Sequence, residues 1–127
     1  MFRRAVEAWP MFSAAWFEQG RILAKQGRLQ EASAAFAKAV EINPYNPDYK
    51  LNYAMALSRS GRLQAAEASL QEILAGPAFP GKGAAAMELG DVRMGLGNSR
   101  GAVEAYVLAA QLGRKDVAGR LRRARRA

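Results

Sequence analysis

The chain contains no cysteine and no histidine. That double absence excludes disulfide frameworks, thiol nucleophiles, histidine-based triads and the usual zinc sites in one step. Proline is scarce, at five residues, and aromatic side chains make up only 9% of the 127 residues. No apolar run reaches the length of about 18 residues that a transmembrane helix needs. Yet 50% of the residues are hydrophobic and 24% are charged, the balance of one folded domain and not of a disordered tail. With most catalytic chemistry missing, the chain reads as a non-enzyme that needs no cofactor and no metal.

Charge is unevenly placed. Nineteen Lys and Arg face eleven Asp and Glu, giving +8. Seven of those bases and one acid lie between Arg114 and Ala127, a net +6 that leaves only +2 for the first 113 residues. Any argument for a polyanionic partner therefore rests on the tail. At the other end, Arg3 and Arg4 precede apolar residues as in a signal sequence, but Glu7 and Pro10 interrupt the run. With no cysteine, the chain suits the cytoplasm, and its Ala, Arg and Gly richness suggests a bacterial gene.

Sliding the sequence by 34 residues aligns Phe2 with Phe36, Ala5 with Ala39, Val6 with Val40, Glu7 with Glu41 and Pro10 with Pro44. Helix-length apolar patterns flank a short turn in each copy, the signature of a helical hairpin repeated along a solenoid. In the first copy Trp16, Gly20, Leu23, Gly27, Leu29, Ala32, Phe36, Ala39 and Pro44 resemble the tetratricopeptide repeat residue for residue. The second shows Ala54, Leu57, Gly61, Leu63, Ala66 and Leu70, and the third Leu89, Gly90, Gly97, Ala102, Tyr106 and Ala109. The fold expected is all-α, a right-handed superhelix of three hairpins: residues 13–46, 47–82 with an extended turn, and 83–115. Residues 1–12 read as the closing half of a preceding repeat or an N-terminal cap, and 116–127 as a basic capping helix begun by Asp116. The half-repeat raises two further readings: self-association through it, and a regulatory segment cut from a larger enzyme.

The residue types carry their own physics. Gly20 and Ala32 are expected to face each other where paired helices run closest, with Phe36 and Trp16 filling the space beside them. Gly27 ends one helix and Pro44 the next. The third copy is the weakest, because Arg93 stands where an apolar residue is usual and Gly95 and Gly101 each cost about 1 kcal/mol relative to Ala.

Candidate sites follow. Gly76 to Gly83 spells G-x-x-x-x-G-K, yet Gly83 replaces the magnesium-binding hydroxyl and Pro77 and Pro80 remove N–H donors, so a turn is expected and not a nucleotide loop. Glu88 and Asp91, one turn apart, read as solvated acids because no nucleophile or metal ligand accompanies them. The resemblance implies a concave groove, lined by the first helices, that holds a partner protein or peptide as an adaptor or scaffold does. Its inward positions are Phe17, Glu18, Arg21, Lys25, Asn52, Met55, Arg59, Met87, Glu88, Asp91 and Met94. The competing reading packs Phe17, Met55 and Met87 against neighbouring hairpins.

One subclass of the family, the chaperone cochaperones, grips a chain-terminal carboxylate with basic residues and asparagines at fixed groove places. Here only Asn52 matches; Phe17, Arg21, Ala84 and Glu88 take the other places, which argues against such a clamp. The alternative function is polyanion binding, to nucleic acid or an anionic membrane, through Arg120, Arg122, Arg123, Arg125 and Arg126. No aromatic interleaves these arginines, so base stacking is not supported.

Overall fold

Helix boundaries are set by a few residues with special backbone demands. Gly27 and Gly97 adopt φ of 77° and 79°, and each closes the preceding helix with paired turn bonds. Gly27 N–H donates to Ala24 O at 3.0 Å and Arg28 N–H to Leu23 O at 3.0 Å; Asn98 N–H donates to Arg93 O at 2.8 Å. A residue with a β-carbon would pay about 1–2 kcal/mol for that left-handed conformation. At a helix start, Asn46 accepts from the N–H groups of Asp48 at 2.9 Å and Tyr49 at 3.2 Å, with Pro47 supplying the fixed φ of a first helical position.

The computed structural model describes residues 12–127. Among them are seven α-helices and no strand: α1 Ser13–Lys25, α2 Leu29–Ile42, α3 Pro47–Arg59, α4 Leu63–Ala75, α5 Lys82–Gly95, α6 Ser99–Gln111 and α7 Ala118–Arg126. The half-repeat expected over residues 1–12 lies outside the described residues but for Phe12. The chain divides into two compact units, one ending at Gly61 and one running from Arg62 to Ala127.

In the first unit α1 packs on α2 and α2 on α3. On α2, Ala32, Phe36 and Ala39 recur at helical spacing and are all buried. Gly20 does allow a close approach, but its partner differs from expectation. A β-carbon built there would lie 2.6 Å from the Phe36 ring, whose atoms are nearer than any of Ala32. A flat ring, not a second small residue, fills the gap.

In the second unit α4 packs on α5, α5 on α6 and α6 on α7. Gly90 repeats the arrangement beneath the ring of Tyr106. Residues 76–81 form the expected turn, in which the Lys82 ammonium donates to the Gly76 carbonyl at 2.7 Å and so clasps the loop. The apparent weak points of the third copy also have partners. Arg93 Nε donates to Glu67 at 3.1 Å and Arg93 Nη1 to the Gly101 carbonyl at 3.1 Å. Gly101 N–H in turn donates to the capping Asn98 side chain at 2.9 Å, and a β-carbon at 101 would press on both Asn98 and Arg93.

The Arg93 side chain is only 15% exposed, so its countercharge matters. Glu67→Ala is expected to destabilise the protein by about 1–2 kcal/mol, because the guanidinium stays largely desolvated with one partner fewer. A shift of the urea midpoint would report it; an unchanged midpoint would show that Arg93 turns out to water at no cost.

Asp116 does not cap α7. The helix starts at Ala118 with no side-chain cap, and Asp116 pairs with Arg114 at 2.9 Å, a contact that holds its carboxyl below the usual range. What fixes α7 is apolar: Ala124 and partly buried Leu121 pack on Ala102 and Tyr106, and Val117 is buried just ahead of the helix.

Candidate functional site

Helical spacing of three and four residues aligns side chains on one face. On α1 it aligns Arg21 with Lys25, and on α3 it aligns Asn52, Met55 and Arg59. In the folded first unit these five residues converge on one cavity of about 150 Å³. Its apolar lining comes from Ala24, Ala56 and two residues of α2, Leu29 and Phe36. The contribution of α2 departs from the expectation that the first helices alone line the groove. Leu29, the first residue of the second helix, was the available signal.

The electrostatics of this cavity are one-sided. Arg21 Nη1 lies 3.1 Å from Glu18 in an exposed pair. Among the described residues, Lys25 and Arg59 have no carboxylate within 4.0 Å. Asn52 donates its amide N–H to the Asp48 carbonyl at 2.8 Å, which points its donor back along the helix. Three cations over an apolar floor, with one acid among them, favour an anionic guest.

Other expected groove residues are placed differently. Phe17 is a packing residue: its ring stacks on Tyr49 with centroids 4.6 Å apart and tilts against Phe36 at 5.5 Å. Met87 is corrected to the core, since it is 5% exposed and clustered with Ala86, Ala109 and Val117. Asp91 is not an open acid. It accepts from the Tyr106 hydroxyl at 2.5 Å and from Arg120 Nε at 2.9 Å. Glu88 is half-buried and already engaged, and Met94 packs beside Tyr106.

The same contacts divide the tail. Arg120 is committed to Asp91, whereas Arg122, Arg123, Arg125 and Arg126 are exposed. No helix of the described residues is long and apolar enough to cross a membrane.

Comparison with known proteins places this geometry among relatives. The profile of the tetratricopeptide repeat family matches residues 1–47 and 51–117. The TPR repeat-containing thioredoxin TTL4 of Arabidopsis thaliana is 34% identical over 61 residues, which are 47% of this chain and 9% of that protein. The Arabidopsis OM64 TPR domain superposes with a TM-score of 0.82 at 22% identity, covering 90% of this chain and 94% of that one. The first TPR of Spaghetti (RPAP3), bound to the HSP90 peptide SRMEEVD, superposes with a TM-score of 0.81 at 24% identity, covering 90% of each chain. These solved structures share the fold.

Proposed function

On the premise that the chain belongs to the tetratricopeptide repeat family, we propose that it is a non-catalytic interaction module that holds a segment of a partner protein against the α1–α3 face. The observation that carries this reading is the convergence of Arg21, Lys25, Asn52, Met55 and Arg59 around one cavity. Side chains from different helices meet there, exposed cations above a hydrophobic floor, a composition suited to a charged and apolar guest. One fold neighbour is bound to a peptide containing acidic residues, SRMEEVD, which supports a peptide segment as the guest. An adaptor or scaffold in the cytoplasm is the setting that the cysteine-free composition suits.

Selection of peptides from a displayed library with the full chain tests the proposal. Arg21→Glu combined with Arg59→Glu is expected to weaken the best selected peptide by about tenfold or more, roughly 1.4 kcal/mol. Arg122→Glu combined with Arg126→Glu, on α7, is expected to leave it unchanged. The opposite pattern would move the binding surface to the tail and defeat the reading.

A further inference from the structure

We infer that the cavity between α1 and α3 selects an aspartate or glutamate side chain lying beside an aliphatic one, with no need of a free chain end. This rests on the peptide-binding reading above and adds the chemistry of what enters. The walls supply three cations, Arg21 and Lys25 from one helix and Arg59 from another, and Glu18 answers only Arg21. The floor supplies Phe36 and Met55. A purely apolar guest would cover the floor but strip water from Lys25 and Arg59 without pairing them. A purely charged guest would leave the floor wet. One carboxylate next to one aliphatic group satisfies both surfaces.

Size and geometry narrow the choice. The recess of about 150 Å³ is large enough to receive side chains of a guest. The planar fork of Arg59 matches a single carboxylate. No group here demands a chain end: Phe17 is packed between Phe36 and Tyr49, and one N–H of the Asn52 amide is held by the Asp48 carbonyl. Lys25 and Arg59 are long and exposed, and they serve an internal carboxylate as readily as a terminal one.

The test is an NMR titration of the full chain, following the Met55 methyl and the Arg59 Nε–H signals. The probes are acetylated, amidated Ser-Leu-Glu-Ser, its Gln and phosphoserine counterparts, and the Glu peptide with a free C-terminus. The best peptide from library selection is run alongside. The amidated Glu peptide is expected to saturate both signals with a Kd of the order of 1 mM, and the Gln peptide to bind about tenfold more weakly. Lys25→Met with Arg59→Met is expected to erase that difference. Equal binding of Glu and Gln peptides, binding only with a free C-terminus, or a phosphoserine peptide tenfold tighter than the Glu peptide would each overturn the inference while leaving peptide binding intact. No movement of either signal with any short probe would overturn it too, and the library peptide then decides the broader reading: if it also leaves α1 and α3 unperturbed, that reading falls as well.

Discussion

Gly90→Val is expected to lower the unfolding free energy by about 3 kcal/mol, at the upper end of overpacking effects. A β-carbon at this position overlaps the Tyr106 ring. The ring cannot yield cheaply: Tyr106 is 2% exposed, and its hydroxyl is tied to Asp91 at 2.5 Å. Replacing glycine inside a helix gains only about 0.5 kcal/mol of intrinsic propensity, so the clash decides the sign. Gly95 serves as the control, because a β-carbon there meets only the flexible end of Leu63, at 2.9 Å. Urea unfolding of Gly90→Val, of Tyr106→Leu and of the pair together checks the mechanism. The double mutant should recover at least about 1 kcal/mol relative to the sum of the singles; simple additivity would show that the loss arises elsewhere.

The hairpin is legible from short-range periodicity, and the five cavity residues from that periodicity together with the resemblance, which implies a groove lined by the first helices. Gly27 and Pro44 punctuate helices locally, and the steps from Arg21 to Lys25 and from Asn52 through Met55 to Arg59 are helical steps. The close approach at Gly20 was legible, but its partner was misassigned. Gly20 and Phe36 are 16 residues apart, as are Gly90 and Tyr106, and the middle copy has Ala54 and Leu70 at the same interval. Glycine is matched with a ring, and alanine with a smaller side chain. That internal covariation was the signal that small faces large.

What stayed illegible depends on which segment covers a helical face. Met55 and Met87 both read as inward-facing, yet Met55 lines the cavity and Met87 is packed with Ala86, Ala109 and Val117. Asp91 reads as a groove acid until Arg120, 29 residues later, reaches it. Arg93 reads as a defect until Glu67, 26 residues earlier, pairs with it. Periodicity names the face that points away from a helix's own axis. It carries no information about a partner lying tens of residues away, because that contact is set by packing between helices.

Tyr106→Ala is expected to cost about 4 kcal/mol at neutral pH, as for other large core aromatics, while Tyr106→Phe keeps the ring and isolates the hydroxyl. The hydroxyl adds a pH dependence of definite sign. Burial first, and then the hydrogen bond and the charge of Asp91, hold the phenol far above its ordinary pKa near 10; Arg120 and Arg123 oppose them in part. Above about pH 10 the unfolded chain releases this proton and the folded chain keeps it, so stability falls with a slope of at most about 1.4 kcal/mol per pH unit. Below that pH the contribution is fully present. Compared by urea unfolding at about pH 9 and pH 11, the native protein should therefore lose roughly 1 kcal/mol more than Tyr106→Phe. Because the folded chain keeps the phenol protonated there, the bonds of Asp91 to the Tyr106 hydroxyl and to Arg120 persist through this range. An equal loss of stability in the native and Tyr106→Phe proteins between these two pH values would separate the alkaline dependence from this hydroxyl.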